Sequence, residues 1–146
     1  MAADPAPAAS SPTPTVRELM HPPTTTVERG AHLAGAAYLM KHSGSSALVV
    51  TTDDEKHTPV ALITDADITQ AVADGLDLQT TRISDLQGPP PIYVGPDTDV
   101  DVAIRRMLAD GIHHLPVVDG DRLVGLVEMS DLCRGLLGDV PAPATA

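Results

Sequence analysis

Three groups of residues have types and spacings that can do chemistry. Two adjacent histidines, His113 and His114, open the stretch GIHHLPVVDGDRLVGLVEMSDL (Gly111–Leu132), which closes on an acidic helix start at Glu128 and Asp131. Thr64-Asp65-Ala66-Asp67 has the same form earlier in the chain, with a hydroxyl where Glu128 has a carboxylate. At a helix start the free backbone N–H groups attract phosphate, and a carboxylate is a good acceptor for a vicinal diol. Thr-x-x-Asp is equally a plain helix N-cap followed by an acid that suits the helix dipole. The first stretch is likewise either a packed β-hairpin or half of a pocket for a small anionic ligand. Residue types alone leave both pairs of readings open.

Other chemistries find less support. Cys133 lies beside Leu132 and Leu136 on the last apolar segment, so it is expected to pack in the core rather than act as a nucleophile. Six histidines raise the question of zinc. However, His113 and His114 would point to opposite faces of an extended chain, and no Cys-x-x-Cys or His-x-x-x-His spacing occurs. No catalytic group, metal site or required cofactor is expected. Asp53-Asp54-Glu55 reads as a solvated turn.

Composition narrows the partners. Against 20 acidic residues there are 9 basic ones, a net charge of −11, and no basic stripe to displace counterions from nucleic acid or to hold an anionic membrane. The chain is 42% apolar but has no Phe or Trp, so its core must be aliphatic. A single cysteine forms no internal disulfide, which suits a reducing, cytoplasmic setting. No apolar run is long enough to span a bilayer, and MAADPAPAASSPTPT lacks the basic-then-apolar order of a secretory signal. Its Pro/Ala/Ser content reads as a disordered tail over residues 1–15, and residues 138–146 read the same way.

The elements that must position these groups occur twice. VRELMHPPTTTV (Val16–Val27) aligns with ISDLQGPPPIYV (Ile83–Val94) at an offset of 67 residues, and the same offset carries Met40 to Met107, Gly44 to Gly111 and Val50 to Val117. Past the first hairpin the offset falls to 64, taking Thr64 to Glu128, so the loop TTDDEKHTP holds three extra residues. Each copy reads as a short extended segment, a helix, two strands and a closing helix. Thr98–Asp110 shows an apolar stripe at helical spacing, with Thr98 and Asp101 as a capping pair and Gly111 as its C-terminal cap. The Asp-Gly of DGDR favours a tight hairpin, and Asp65–Ala73 and Met129–Leu137 read as the closing helices. The strands are apolar throughout, so both faces should be covered, and one copy has too little core to stand alone. The division is therefore a first repeat at 16–74, a linker at 75–82 and a second repeat at 83–137.

With these features in place, both copies resemble the CBS (cystathionine-β-synthase-type) domain. The resemblance is carried by LMHPPTTTVERGAHL, ALITDADI and GIHHLPVVDGDRLVGLVEMSDL. It implies an α/β (α+β) fold in which two β-α-β-β-α repeats pack sheet to sheet as one CBS pair, a Bateman-type module. It further implies a stand-alone regulatory protein that binds an adenosyl compound, AMP-like above all, between the repeats. The candidate ligands are AMP, ADP, ATP with or without magnesium, and S-adenosylmethionine. Signalling would pass through a helix-mediated homodimer or an unidentified partner protein, in stress or energy sensing. By the same resemblance Thr64 contacts phosphate, Asp67 accepts from ribose, and His113-His114 reach the phosphate from the other repeat. Ile63, Leu115 and Pro116 line an adenine slot, and main chain near Val27 reads the base edge. The second copy keeps Asp131 but has Glu128 in the hydroxyl position, where a carboxylate would repel phosphate. One competent cleft is expected, and a ligand-free interaction scaffold is the rival reading.

Overall fold

The computed structural model describes residues 13–22, 25–86, 88 and 91–138. Its elements are α1 (Val16–Leu19), β1 (Thr26–Glu28), α2 (Leu33–Ser43), β2 (Ala47–Thr51), β3 (Pro59–Thr64), α3 (Asp65–Ala73), a single 3-10 turn at Ile83–Asp85, α4 (Val100–Asp110), β4 (His114–Asp119), β5 (Arg122–Glu128) and α5 (Met129–Leu137). In the first repeat β1 runs parallel to β2, which pairs antiparallel with β3. In the second, β4 and β5 form a hairpin with Asp119 opposite Arg122 and Gly120 at φ 66° in the turn. This is a mixed α/β architecture of two sheet-plus-helix repeats.

Glycines end the long helices as their spacing implies. Gly44 (φ 68°) and Gly111 (φ 65°) take the left-handed conformation and return their N–H groups to Met40 and Met107. Two local expectations need correction. Helix α4 begins after Asp99, with no side-chain cap, because the Pro14 carbonyl accepts the Val100 N–H at 3.0 Å and replaces the Thr98 cap. The extended segment expected at Pro91–Val94 is reduced to one parallel bridge, Val94 to Val117, at the place where β1 makes a full pairing in the first repeat. Pro91 and Pro96 flank that bridge and have no N–H with which to lengthen it.

Two aliphatic cores form, and each takes a residue from the opening of the other copy. Ile83 belongs to the core of Val27, Leu33, Leu48, Val50 and Ile63, whereas Val16 belongs to that of Val100, Met107, Leu115, Val117 and Leu132. The hydrogen bonds repeat one copy apart. Val16 and Arg17 N–H groups reach Thr98 and Pro96 carbonyls, and Ile83 and Ser84 reach Ala31 and Arg29, all four at 2.9 Å. Each core is thus built from one copy and completed by one buried residue of the other. Pulling the copies apart would expose two residues whose burial is worth roughly 1.5–3 kcal/mol each.

The stretch expected as a linker is also tied in, since Leu78 and Thr81 carbonyls accept the Ala34 and Leu33 N–H groups at the start of α2. Of the expected tails, residues 1–12 and 139–146 lie outside the described residues, while Thr15 bridges to Asp99 as part of the fold. Among the described residues no helix is long and apolar enough to cross a membrane.

Candidate functional site

Strand β3 delivers Thr64 in an extended conformation directly to the start of α3. The Asp65 N–H is fixed to the Ser46 carbonyl at 2.9 Å, which ties the helix start to the head of β2. Asp67 then turns back: its Oδ2 accepts the Thr64 N–H at 2.8 Å and the Thr64 hydroxyl at 3.1 Å. This is a reciprocal cap. Asp67 remains exposed, and its Oδ1 has no bonded partner among the described residues.

These groups stand on a cleft of about 740 Å³. One side is apolar, built from Val60, Ile63, Ile83, Leu86, Ile92 and Ile112. Thr64, Asp67, Asp110, His114 and Pro116 supply the polar groups and the far edge. The size falls within the range of small-molecule sites. His114 reaches it from the second repeat, with only 11% of its side chain exposed. Its Nε2 lies 2.8 Å from the Ser46 hydroxyl and 3.7 Å from Glu128 Oε1. Burial pulls its pKa below the ordinary 6.5, outweighing the nearby carboxylates of Glu128, Asp65 and Asp131 that push it up.

The matching place in the second repeat is built differently. Asp131 is 6% exposed; its Oδ2 accepts the Glu128 N–H at 2.9 Å, and its Oδ1 faces His21 Nε2 at 2.8 Å and Arg134 Nη1 at 3.4 Å. His21 is held in place by paired backbone bonds with Leu126 of 2.9 and 3.0 Å. Two glycines make room for this strap. A Cβ on Gly125 would stand 2.6 Å from Met20 Sδ and 2.9 Å from the His21 carbonyl, and one on Gly135 would run into the Leu19 side chain. The first repeat has Ala61 and Ala71 at those positions.

Of the residues singled out from sequence, Ile63, Thr64, Asp67, His114 and Pro116 line one cleft. The others stand elsewhere. His113 is exposed off the cleft wall, Leu115 is fully buried in the second core, and the Val27 side chain is buried in the first. Asp131 is not on the cleft lining and is engaged with His21 and Arg134. Cys133 is a correction: it is exposed, because the next position after buried Leu132 turns about 100° around the helix. Its apolar neighbour Leu136 is 54% exposed as well.

Sequence reading missed Asp110 and Ile112, which the cleft takes from the end of α4, and Ser46, which holds His114. It also missed His21, although the offset of 67 pairs it with Gly88, a residue on the wall of the first cleft. Among the described residues no three His, Cys, Asp or Glu side chains gather as a metal site would need.

Comparison with known proteins agrees with this architecture. The family model for the CBS domain matches residues 16–74 and 83–138. Hypoxic response protein 1 of Mycobacterium tuberculosis is 29% identical over 123 residues, covering 84% of this chain and 85% of its own. An uncharacterized protein of Methanopyrus kandleri is 33% identical over 100 residues, 67% of this chain but only 50% of its own length. Among solved structures, a CBS domain protein from Pyrobaculum aerophilum complexed with AMP superposes with a TM-score of 0.75 at 30% identity, over 82% of this chain and 90% of that one. A CBS domain pair in complex with 5′-methylthioadenosine and S-adenosyl-L-methionine gives 0.78 at 26% identity, over 88% and 100%. The two matched segments take in most of the chain and coincide with its two folded repeats, so this protein belongs to the CBS domain family.

Proposed function

We propose that this CBS pair is a regulatory sensor, not an enzyme, that takes one adenosyl compound into the cleft bounded by Thr64, Asp67 and His114. One observation carries the reading: a hydroxyl, a carboxylate with an uncommitted oxygen and an imidazole from the other repeat converge on a cleft with an aliphatic wall. The wall suits the faces of a purine, and Asp67 Oδ1 suits a ribose diol. Relatives of known structure hold AMP, or 5′-methylthioadenosine and S-adenosylmethionine. Output would pass through a homodimer or a partner protein, in the cytoplasm, and the hypoxic response relative makes stress signalling the first setting to examine.

A second reading, a ligand-free interaction scaffold, draws on the second repeat. There Asp131 is satisfied by His21 and Arg134, and Glu128 replaces the hydroxyl. A thermal-shift panel of AMP, ADP, ATP with and without magnesium, S-adenosylmethionine and a GTP control separates the two. A ligand at about a hundred times its Kd stabilises the fold by roughly 2.7 kcal/mol. A shift with adenosyl compounds that is lost in Asp67→Ala supports the sensor, whereas no shift with any of them leaves the scaffold.

A further inference from the structure

Building on the reading of this cleft as an adenosyl site, we infer that it selects a ligand whose ribose carries an uncharged or cationic 5′ group, a thioether or a sulfonium, rather than a phosphate. The chain has nine lysines and arginines, at positions 17, 29, 41, 56, 82, 105, 106, 122 and 134, and all of them fall within the described residues. None lines the cleft. Four are already engaged: Arg17 with Asp97 at 3.3 Å, Arg82 with the Gly30 carbonyl at 2.6 Å, Arg106 with Asp110 at 2.6 Å, and Arg134 with Asp131 at 3.4 Å. The full charges that do line the cleft are the carboxylates of Asp67 and Asp110, the latter paired with Arg106.

The neutral donors at the start of α3 are committed as well. The Thr64 N–H and hydroxyl both point at Asp67 Oδ2, the Ala66 N–H is held by Asp65 Oδ1 at 2.8 Å, and the Asp67 N–H is held by Thr64 Oγ1 at 3.4 Å. His114 Nε2 is bonded to Ser46. A phosphate would therefore meet the carboxylates with no free cation on the cleft lining and only the one hydrogen left over by the Ser46–His114 pair as a donor. A thioether meets none of that opposition: Ile63, Ile83, Ile92 and Ile112 offer it apolar contact, and a sulfonium is drawn to the same carboxylates that repel phosphate.

Isothermal calorimetry on the full chain at pH 7.5, with adenosine, 5′-methylthioadenosine, S-adenosylmethionine, AMP and ATP, tests the inference. The thioether or the sulfonium should bind at least about tenfold more tightly than AMP, and Asp110→Asn, which also releases Arg106, should narrow that gap. AMP binding as tightly as 5′-methylthioadenosine, with both lost in Asp67→Ala, overturns the charge selection and leaves the adenosyl site standing. Absence of binding by all five, adenosine included, overturns the adenosyl reading and this inference with it.

Discussion

His21 Nε2 stands 2.8 Å from Asp131 Oδ1, and this contact fills in the second repeat the place where the first repeat leaves Asp67 exposed. The two aspartates occupy equivalent positions at the starts of α3 and α5 and cap them alike, taking the N–H of Thr64 at 2.8 Å and of Glu128 at 2.9 Å. They differ in what else reaches them. Solvent reaches Asp67; an imidazole and a guanidinium reach Asp131. A duplicated motif has become a cleft in one copy and a structural tie in the other.

Replacing each aspartate by alanine should separate these roles. Asp131→Ala removes a cap and a side-chain bond at a buried position, so it should cost about 1–3 kcal/mol in urea unfolding and leave adenosyl binding unchanged. Asp67→Ala should abolish binding at a cost of only about 1 kcal/mol, because its site is open to water. Equal effects of the two changes on binding would show that both ends of the pair hold ligand.

Gly125→Ala tests the strap that closes the second end. The added methyl would press on Met20 Sδ and on the His21 backbone carbonyl, and the carbonyl cannot swing aside without breaking the bond it accepts from the Leu126 N–H. A loss of about 1–3 kcal/mol in chemical denaturation is expected. Gly135→Ala should cost less, since its nearest contacts are all side-chain atoms of Leu19 rather than backbone. The reverse order would place the rigid contact at α5 instead of β5.

Much of this is legible in the sequence. The offset of 67 located both helix-ending glycines, and the closing helices fall at Asp65–Ala73 and Met129–Leu137 as expected. Thr64 and Asp67 share a cleft because local capping, written in four consecutive residues, fixes their geometry. Long-range exchange was not legible: nothing in the Val16 or Ile83 neighbourhoods says that each will bury itself in the other copy's core. Apolar character alone also misjudged α5, where Cys133 and Leu136 are apolar yet face outward.

That outward face carries a prediction about self-association. Leu108 on α4 is 69% exposed and Leu137 on α5 is 73% exposed, and α4 and α5 pack side by side. If the homodimer forms through these helices, Leu108→Asp combined with Leu137→Asp should halve the mass seen in sedimentation equilibrium. Each change should alter the stability of the single chain by no more than about 0.5 kcal/mol, because neither residue leaves a core. An unchanged mass would move the dimer contact to α2 and α3, where Tyr38 and Val72 are exposed.

The imidazole between the repeats predicts how stability varies with pH. Burial lowers the pKa of His114 below 6.5 in the folded chain, so the unfolded chain binds this proton more readily. The stability that neutral His114 contributes is fully present above pH 6.5. It falls as the pH drops below that value, with a slope of at most about 1.4 kcal/mol per pH unit, until the folded group is itself protonated. His114→Gln keeps an amide to meet the Ser46 hydroxyl and has no proton to gain. Urea midpoints of the two proteins should therefore run parallel above pH 7 and converge, or cross, between pH 6.5 and 5. A gap that stays constant through that window would mean that His114 keeps an ordinary pKa and that the carboxylates of Glu128, Asp65 and Asp131 balance its burial.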